Sequence, residues 1–343
     1  MMPLKNESHF PQTAIPLQQG RGHQALRQLL FIALLCCQPA FAAPLTLELP
    51  IRCSPGQDCF IQNYFDHDPG SGWVDYACGH LSYDGHTGTD FRLPGMEAMR
   101  KGVAVVAAAS GVVAGLRDGE PDIPVMTHPG KHAAGNAVRI DHGDGWETQY
   151  SHMRQGSVTV HVGQSVRAGD PLGMVGLSGN TEFPHVDLTV RHNGQMVDPF
   201  APSGKNTCAA GTDSLWKPEV LNILRYIPTG ILLTGWASEA PDWNKARNGE
   251  YPTPGTDAKA LVFWVEVFGV QAGDHQIFEM FDPKGKQMLK NELTIPGNKA
   301  SWRGYAGKPR PAQGWEAGSY RAEYQLERKG TPVITTARQL RIP

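Results

Sequence analysis

Two alternating runs, Val138 to Ile140 and Glu147 to Tyr150, flank the triplet Gly143, Asp144 and Gly145. A glycine-bracketed turn between alternating runs signals an antiparallel hairpin, because glycine takes up the positive φ that a tight turn demands. Apolar runs of similar kind recur at Val103 to Leu116, Ala260 to Gly269, His275 to Phe281 and Tyr320 to Leu326. Asp282 to Gly285 and Ile295 to Gly297 separate later runs with turn formers. The expected class is mainly β, with antiparallel sheets. Beyond Phe200, Leu215 to Tyr226 is the modest helix candidate.

Chemistry-bearing residues are spaced among these strands. His86 and Asp90 stand four residues apart in DGHTGTDFR, where Gly88 makes a turn inexpensive. Tyr150 and His152 end the second arm of the hairpin, and a Gly-rich run leads into Pro184, His185, Val186 and Asp187. Alternation along a strand puts residues 185 and 187 on one face. A catalytic zinc needs three protein ligands, an open position for water and groups that move protons. An isolated His and Asp at this spacing usually hydrogen-bond locally, so the order of the whole set is what points to a metal.

That set resembles the lysostaphin/LytM-type metallopeptidases, family M23, over roughly Ile61 to Phe200. The HxxxD element, the hairpin ending in Tyr-x-His, the run VHVGQSVRAGDPLGMVG and the Gly-rich loop before His185 occur in the family's order. The resemblance implies an antiparallel-sheet LytM/lysostaphin-like peptidase domain with one Zn2+ per chain. His86 and Asp90 then look like zinc ligands and Asp187 like the third, where the family has a histidine. His152 and His185 correspond to the two histidines that flank the activated water, one as general base and the other polarising the oxyanion. Two carboxylates put more negative charge on the metal, so a slower or differently tuned enzyme is expected. Tyr150 and Asn136 are weaker candidates, and Tyr150 reads better as strand packing. His142, in the hairpin turn, reads as structural. His80, His128, His132, His161 and His192 read as exposed, with His128 and His132 in a loop that could rim the groove.

Arg21, His23 and Arg27 precede the apolar run Leu29 to Cys37 and the A-x-A-like Ala40 to Ala42. This is a signal-peptide pattern with an extended n-region, cut between Ala42 and Ala43. The run is about half the length a membrane span needs, so no stable membrane anchor is expected. Ala33 to Leu35 lack, just ahead of Cys36 and Cys37, the small residue that would favour lipidation there. Cys53, Cys59, Cys78 and Cys208 remain, an even number that suggests two disulfides in an oxidising compartment. Three pairings are possible; the turn-like residues between Cys53 and Cys59 favour a local loop and leave Cys78 to reach Cys208.

Length suggests more than one core. The expected layout is 1–42 signal peptide, 43–205 peptidase domain, 206–225 linker and 226–343 an immunoglobulin-like β-sandwich. Trp236, Trp243, Trp264, Trp302 and Trp315 in that last region could stack on sugar rings, although packing tryptophans are commoner. Its protein partner is open. With 31 basic against 33 acidic residues there is no basic field for nucleic acid. The resemblance and the export signal together imply a periplasmic or secreted zinc metalloendopeptidase acting on peptidoglycan peptides. The alternative is a catalytically impaired module that binds peptidoglycan or activates a cell-wall amidase.

Overall fold

The computed structural model describes residues 45–124, 132–204, 208 and 213–343. The export segment and His128 lie outside the described residues. In chain order the first half contains β1 (Phe60–Asn63), β2 (Thr89–Arg92), α1 (Met96–Lys101), β3 (Ala104–Val106), β4 (Gly111–Arg117), β5 (Asn136–Gly143), β6 (Trp146–Met153), β7 (Ser165–Val166), β8 (Pro171–Met174), β9 (His185–His192) and β10 (Gln195–Val197). Eight of these strands make one antiparallel sheet in the order β1-β2-β9-β6-β5-β4-β7, with β10 on β9, and β3 pairs with β8 in a separate sheet.

The expected hairpin is β5 and β6, with Gly143 opposite Trp146. Asp144 and Gly145 between them have φ of 50° and 79°, the double positive φ that matches strand twist in a two-residue turn. The apolar run Val103 to Leu116 is not a single strand. It divides into β3 and β4, which belong to different sheets. The backbone between them is committed elsewhere, since the Ala108 amide donates to the Tyr150 hydroxyl at 2.7 Å.

Strand β9 lies between β2 and β6, so it is paired on both edges. Val186, Leu188 and Val190 of β9 are fully buried in the first core together with Phe91, Val138, Ile140 and Tyr150. By alternation His185, Asp187 and Thr189 project from the other face.

The second half contains α2 (Pro218–Ile223), β11 (Gly230–Ala237), α3 (Trp243–Asn248), β12 (Ala260–Val270), β13 (His275–Phe281), β14 (Gln287–Thr294), β15 (Lys299–Pro309), β16 (Gly318–Arg328) and β17 (Thr331–Ile342). The strands form a three-stranded sheet, β11-β12-β15, and a four-stranded sheet, β14-β13-β16-β17. Phe263, Val265 and Val267 from the first sheet share a core with Phe278, Met280 and Tyr324 from the second. Helix α3 is an element beyond the sequence reading. Asp242 caps it by accepting from the Asn244 and Lys245 amides, and Gly249 ends it at φ 69°.

Residues Leu215, Trp216, Val220 and Leu224, within the stretch read as linker, are buried in the first core. Strand β12 explains why the two halves stay together. Its inner face feeds the second core, while its outer face carries Val262 and Trp264 against α3 and places Phe268 in the first core. A strand covered on both sides reads as a continuous apolar run, which ALVFWVEVFGV is. Disulfides join Cys53 to Cys59 and Cys78 to Cys208, the latter pair 130 residues apart in sequence.

Candidate metal centre

The β2–β9 register sets Asp90 directly opposite Asp187 and Arg92 opposite His185. His86 precedes β2 by a short turn through Gly88. One ligand atom from each of His86, Asp90 and Asp187 falls within 4.8 Å of the others. The His86 Nε2 atom is 3.4 Å from Asp90 Oδ1. Gly88 is required by crowding, because a Cβ there would lie 1.8 Å from Asp187 Oδ1.

Three atoms in this cluster, His86 Nε2, Asp90 Oδ1 and Asp187 Oδ1, are buried and have no hydrogen-bond partner. A buried polar atom without a partner costs about 1–3 kcal/mol, so three in one place need a compensating ligand. The opposite carboxylate oxygens are held: Asn63 Nδ2 donates to Asp90 Oδ2 at 2.7 Å, and Thr189 Oγ1 donates to Asp187 Oδ2 at 3.4 Å. One imidazole and two carboxylates, each aimed by a neighbour, form a donor set that can hold a divalent metal.

Charge agrees with this. Burial and the Asp90 charge push the Asp187 carboxyl up to about 7. Burial opposes the Asp90 charge too, yet the His86 and His185 imidazoles hold that carboxyl below the usual range. Burial pulls His86 down, and Asp90 and Asp187 outweigh it, leaving that imidazole raised. The cluster sets two carboxylates against one imidazole, a charge balance that suits a cation.

Beside it stand the other two histidines. Their ring centroids are 4.5 Å apart, and His185 Nε2 lies 3.6 Å from Asp90 Oδ1. His185 Nδ1 faces the Phe183 carbonyl at 3.0 Å and His152 Nδ1 faces the Ser178 carbonyl at 2.7 Å. A carbonyl oxygen can only accept, so each ring carries its proton on Nδ1 and presents a bare Nε2. Burial and the neighbouring His185 push His152 down to about 3, and burial lowers His185 as well. Both are therefore neutral bases near pH 7. His152 also has φ 60°, a left-handed conformation of the kind that persists where surrounding structure enforces it.

The weaker candidates are occupied elsewhere. The Tyr150 side chain is fully buried in the core, and its hydroxyl accepts from the Ala108 amide and from Thr148 Oγ1. Asn136 Oδ1 accepts from the Gly119 and Glu120 amides. His142 bridges the Ser110 carbonyl and Thr148 Oγ1, each at 2.8 Å, a structural role. His132 pairs with Glu120 at 2.7 Å, and His192 stacks on Trp146 at 4.0 Å. Cys53, Asp58 and Cys59 also come together, but the two thiols are joined in a disulfide. Sequence reasoning missed Asn63, Ser178 and Phe183, whose contribution is a single hydrogen bond or a backbone carbonyl and leaves no motif.

Residues 84–199 match the sequence family described as Peptidase family M23. The chain is 35% identical over 117 residues to the DD-carboxypeptidase/endopeptidase Mpg of Neisseria meningitidis, covering 34% of this chain and 22% of that protein. It is 32% identical over 113 residues to the peptidoglycan DD-endopeptidase ShyA of Vibrio cholerae, 33% of this chain and 22% of the relative. It is also 32% identical over 99 residues to the murein hydrolase activator EnvC of Escherichia coli, 29% of this chain and 22% of that protein. The matches thus span about a fifth of the length of these relatives. Residues 84–199, which contain all five of the clustered His and Asp residues, are thus similar to peptidase family M23.

Proposed function

We propose that the chain is an exported zinc metalloendopeptidase that hydrolyses peptide bonds in peptidoglycan cross-links. The observation that carries this reading is the trio of buried, unpartnered atoms on His86, Asp90 and Asp187, set beside two neutral histidines. These three residues would hold the zinc. Bound there, the ion supplies Lewis acidity toward a peptide carbonyl and toward water. His185 accepts a proton at its bare Nε2 while Phe183 fixes its ring through Nδ1. Once protonated, that nitrogen becomes a donor and can deliver the proton to the leaving amine. His152, held by Ser178, offers a second Nε2 to the same space. Asn63 keeps Asp90 from rotating away. Two disulfides suit an oxidising compartment, and no described helix is long and apolar enough to cross a membrane. Relatives that carry endopeptidase names support the substrate class.

A second reading, a module that binds the wall or activates an amidase, draws on Asp187 standing where the family has histidine and on the likeness to an activator. The discriminating experiment takes the chain from Ala43, measures bound zinc and follows muropeptides released from purified peptidoglycan by mass spectrometry. Stoichiometric zinc with new amine ends is the expected result. Metal-free protein that binds the sacculus without cutting it moves the answer to the second reading.

A further inference from the structure

We propose that Glu266, a residue of β12 in the second half of the chain, is a positioning residue for His185; this rests on the peptidase reading above. Glu266 sits on the outer face of β12 with its side chain 1% exposed. It gathers four donors. Arg247 Nε lies 3.1 and 3.0 Å from its two oxygens and Arg247 Nη2 lies 2.5 Å from Oε1, while Ser301 Oγ donates at 3.0 Å and Arg92 Nη2 at 3.4 Å. Arg303 adds a further guanidinium, its Nε 3.5 Å from Oε1. One carboxylate therefore restrains three arginines, and without it they would repel one another.

The restraint is passed on through Arg92. Gln62 accepts from Arg92 Nη1, and the Arg92 guanidinium lies over the Phe183 ring, 4.3 Å from its centroid. The Phe183 ring is in turn 4.8 Å from the His185 imidazole, and the Phe183 carbonyl takes the His185 Nδ1 proton. Arg92 is also the cross-strand neighbour of His185 on the metal-facing side of the sheet. Arg247 Nη1 reaches the Glu182 carbonyl at 3.5 Å, so the same cluster touches the residue before Phe183. Both the ring plane and the tautomer of the proposed base thus depend on a residue that β12 keeps in place. Misplacement by about 1 Å in such a site costs up to roughly 100-fold in rate.

The test uses the chain from Ala43 labelled with 15N-histidine, comparing wild type with Glu266→Gln. In wild type, His185 shows the Nδ1–H tautomer. In the variant, its ring signals shift toward the other tautomer, and kcat falls by about 10- to 100-fold with KM and zinc content kept. Glu266→Asp restores part of both. Should Glu266→Gln fail to fold, Arg247→Gln loosens Glu266 while lowering the excess positive charge, and it shifts the same signals by a smaller amount. Unchanged His185 signals in a folded Glu266→Gln or Arg247→Gln protein overturn the proposal. A tautomer shift in a protein that cuts no peptidoglycan keeps the proposal and removes the peptidase reading, so the two failures are told apart.

Discussion

Asp187 and Glu266 are both carboxylates pressed into the interior, and their surroundings are opposite. Asp187 faces another carboxylate and has one oxygen with no partner. Glu266 faces three guanidinium groups and a hydroxyl. Burial pushes both upward, yet Asp187 stands at about 7 while the arginines bring Glu266 down to about 2. Burial alone therefore does not mark a functional acid. The mark is a charge left without a counter-charge, because a fold that kept such a group for stability would have supplied one.

The contrast breaks most directly at the ligand itself. Asp187→Ala should abolish metal retention, costing more than the roughly 100-fold in affinity that loss of a merely orienting residue costs. Asp187→His should keep the metal. Zinc stoichiometry after dialysis measures both, and full occupancy in the alanine variant would remove Asp187 from the ligand set.

Next in size is the base. His185→Ala should hold zinc and lose about 10²- to 10⁴-fold in turnover. Metal loss in that variant would mean the roles of His185 and Asp187 are exchanged.

The two carboxylates also predict opposite pH limbs for the metal-free chain. Asp187 has a folded pKa raised above its ordinary 3.8, so its contribution is present below pH 4 and is lost as pH rises toward about 7. Glu266 is depressed from 4.5, so its contribution is present above pH 4.5 and is lost as pH falls toward about 2. The acid limb should be worth on the order of 3 kcal/mol. Urea unfolding in chelator across this range, with Asp187→Asn and Glu266→Gln, reads the two separately. Each substitution should flatten one limb and leave the other.

The smallest effect concerns a histidine outside both clusters. His142→Ala should cost about 1 kcal/mol of stability and leave zinc content and turnover unchanged. A matching loss of activity would show that the hairpin end communicates with the metal face.

Much of the centre was legible because strand period and residue type act locally. The spacing of His185 and Asp187 placed them on one face, and Gly143 to Gly145 announced the hairpin that delivers His152. What stayed hidden depended on distance in sequence. Asn63 reaches Asp90 across 27 residues, and Glu266 meets Arg92 across 174. No local pattern encodes such encounters. Helix α3 had its Asp242 cap and Gly249 stop in plain view, but six residues are too few for an amphipathic stripe to declare itself. The stretch around Leu215 and Trp216 was read as linker from its polar beginning, while its apolar end fills the first core.

The placement of Phe268 has a bearing on ancestry. A side chain from β12 completes the core of the first half and meets Phe60 at 5.5 Å between ring centroids. The halves are consequently poor candidates for shuffling. A recombination event that gave the first half a new downstream neighbour would leave Phe60 facing water and strand Arg92 without its anion.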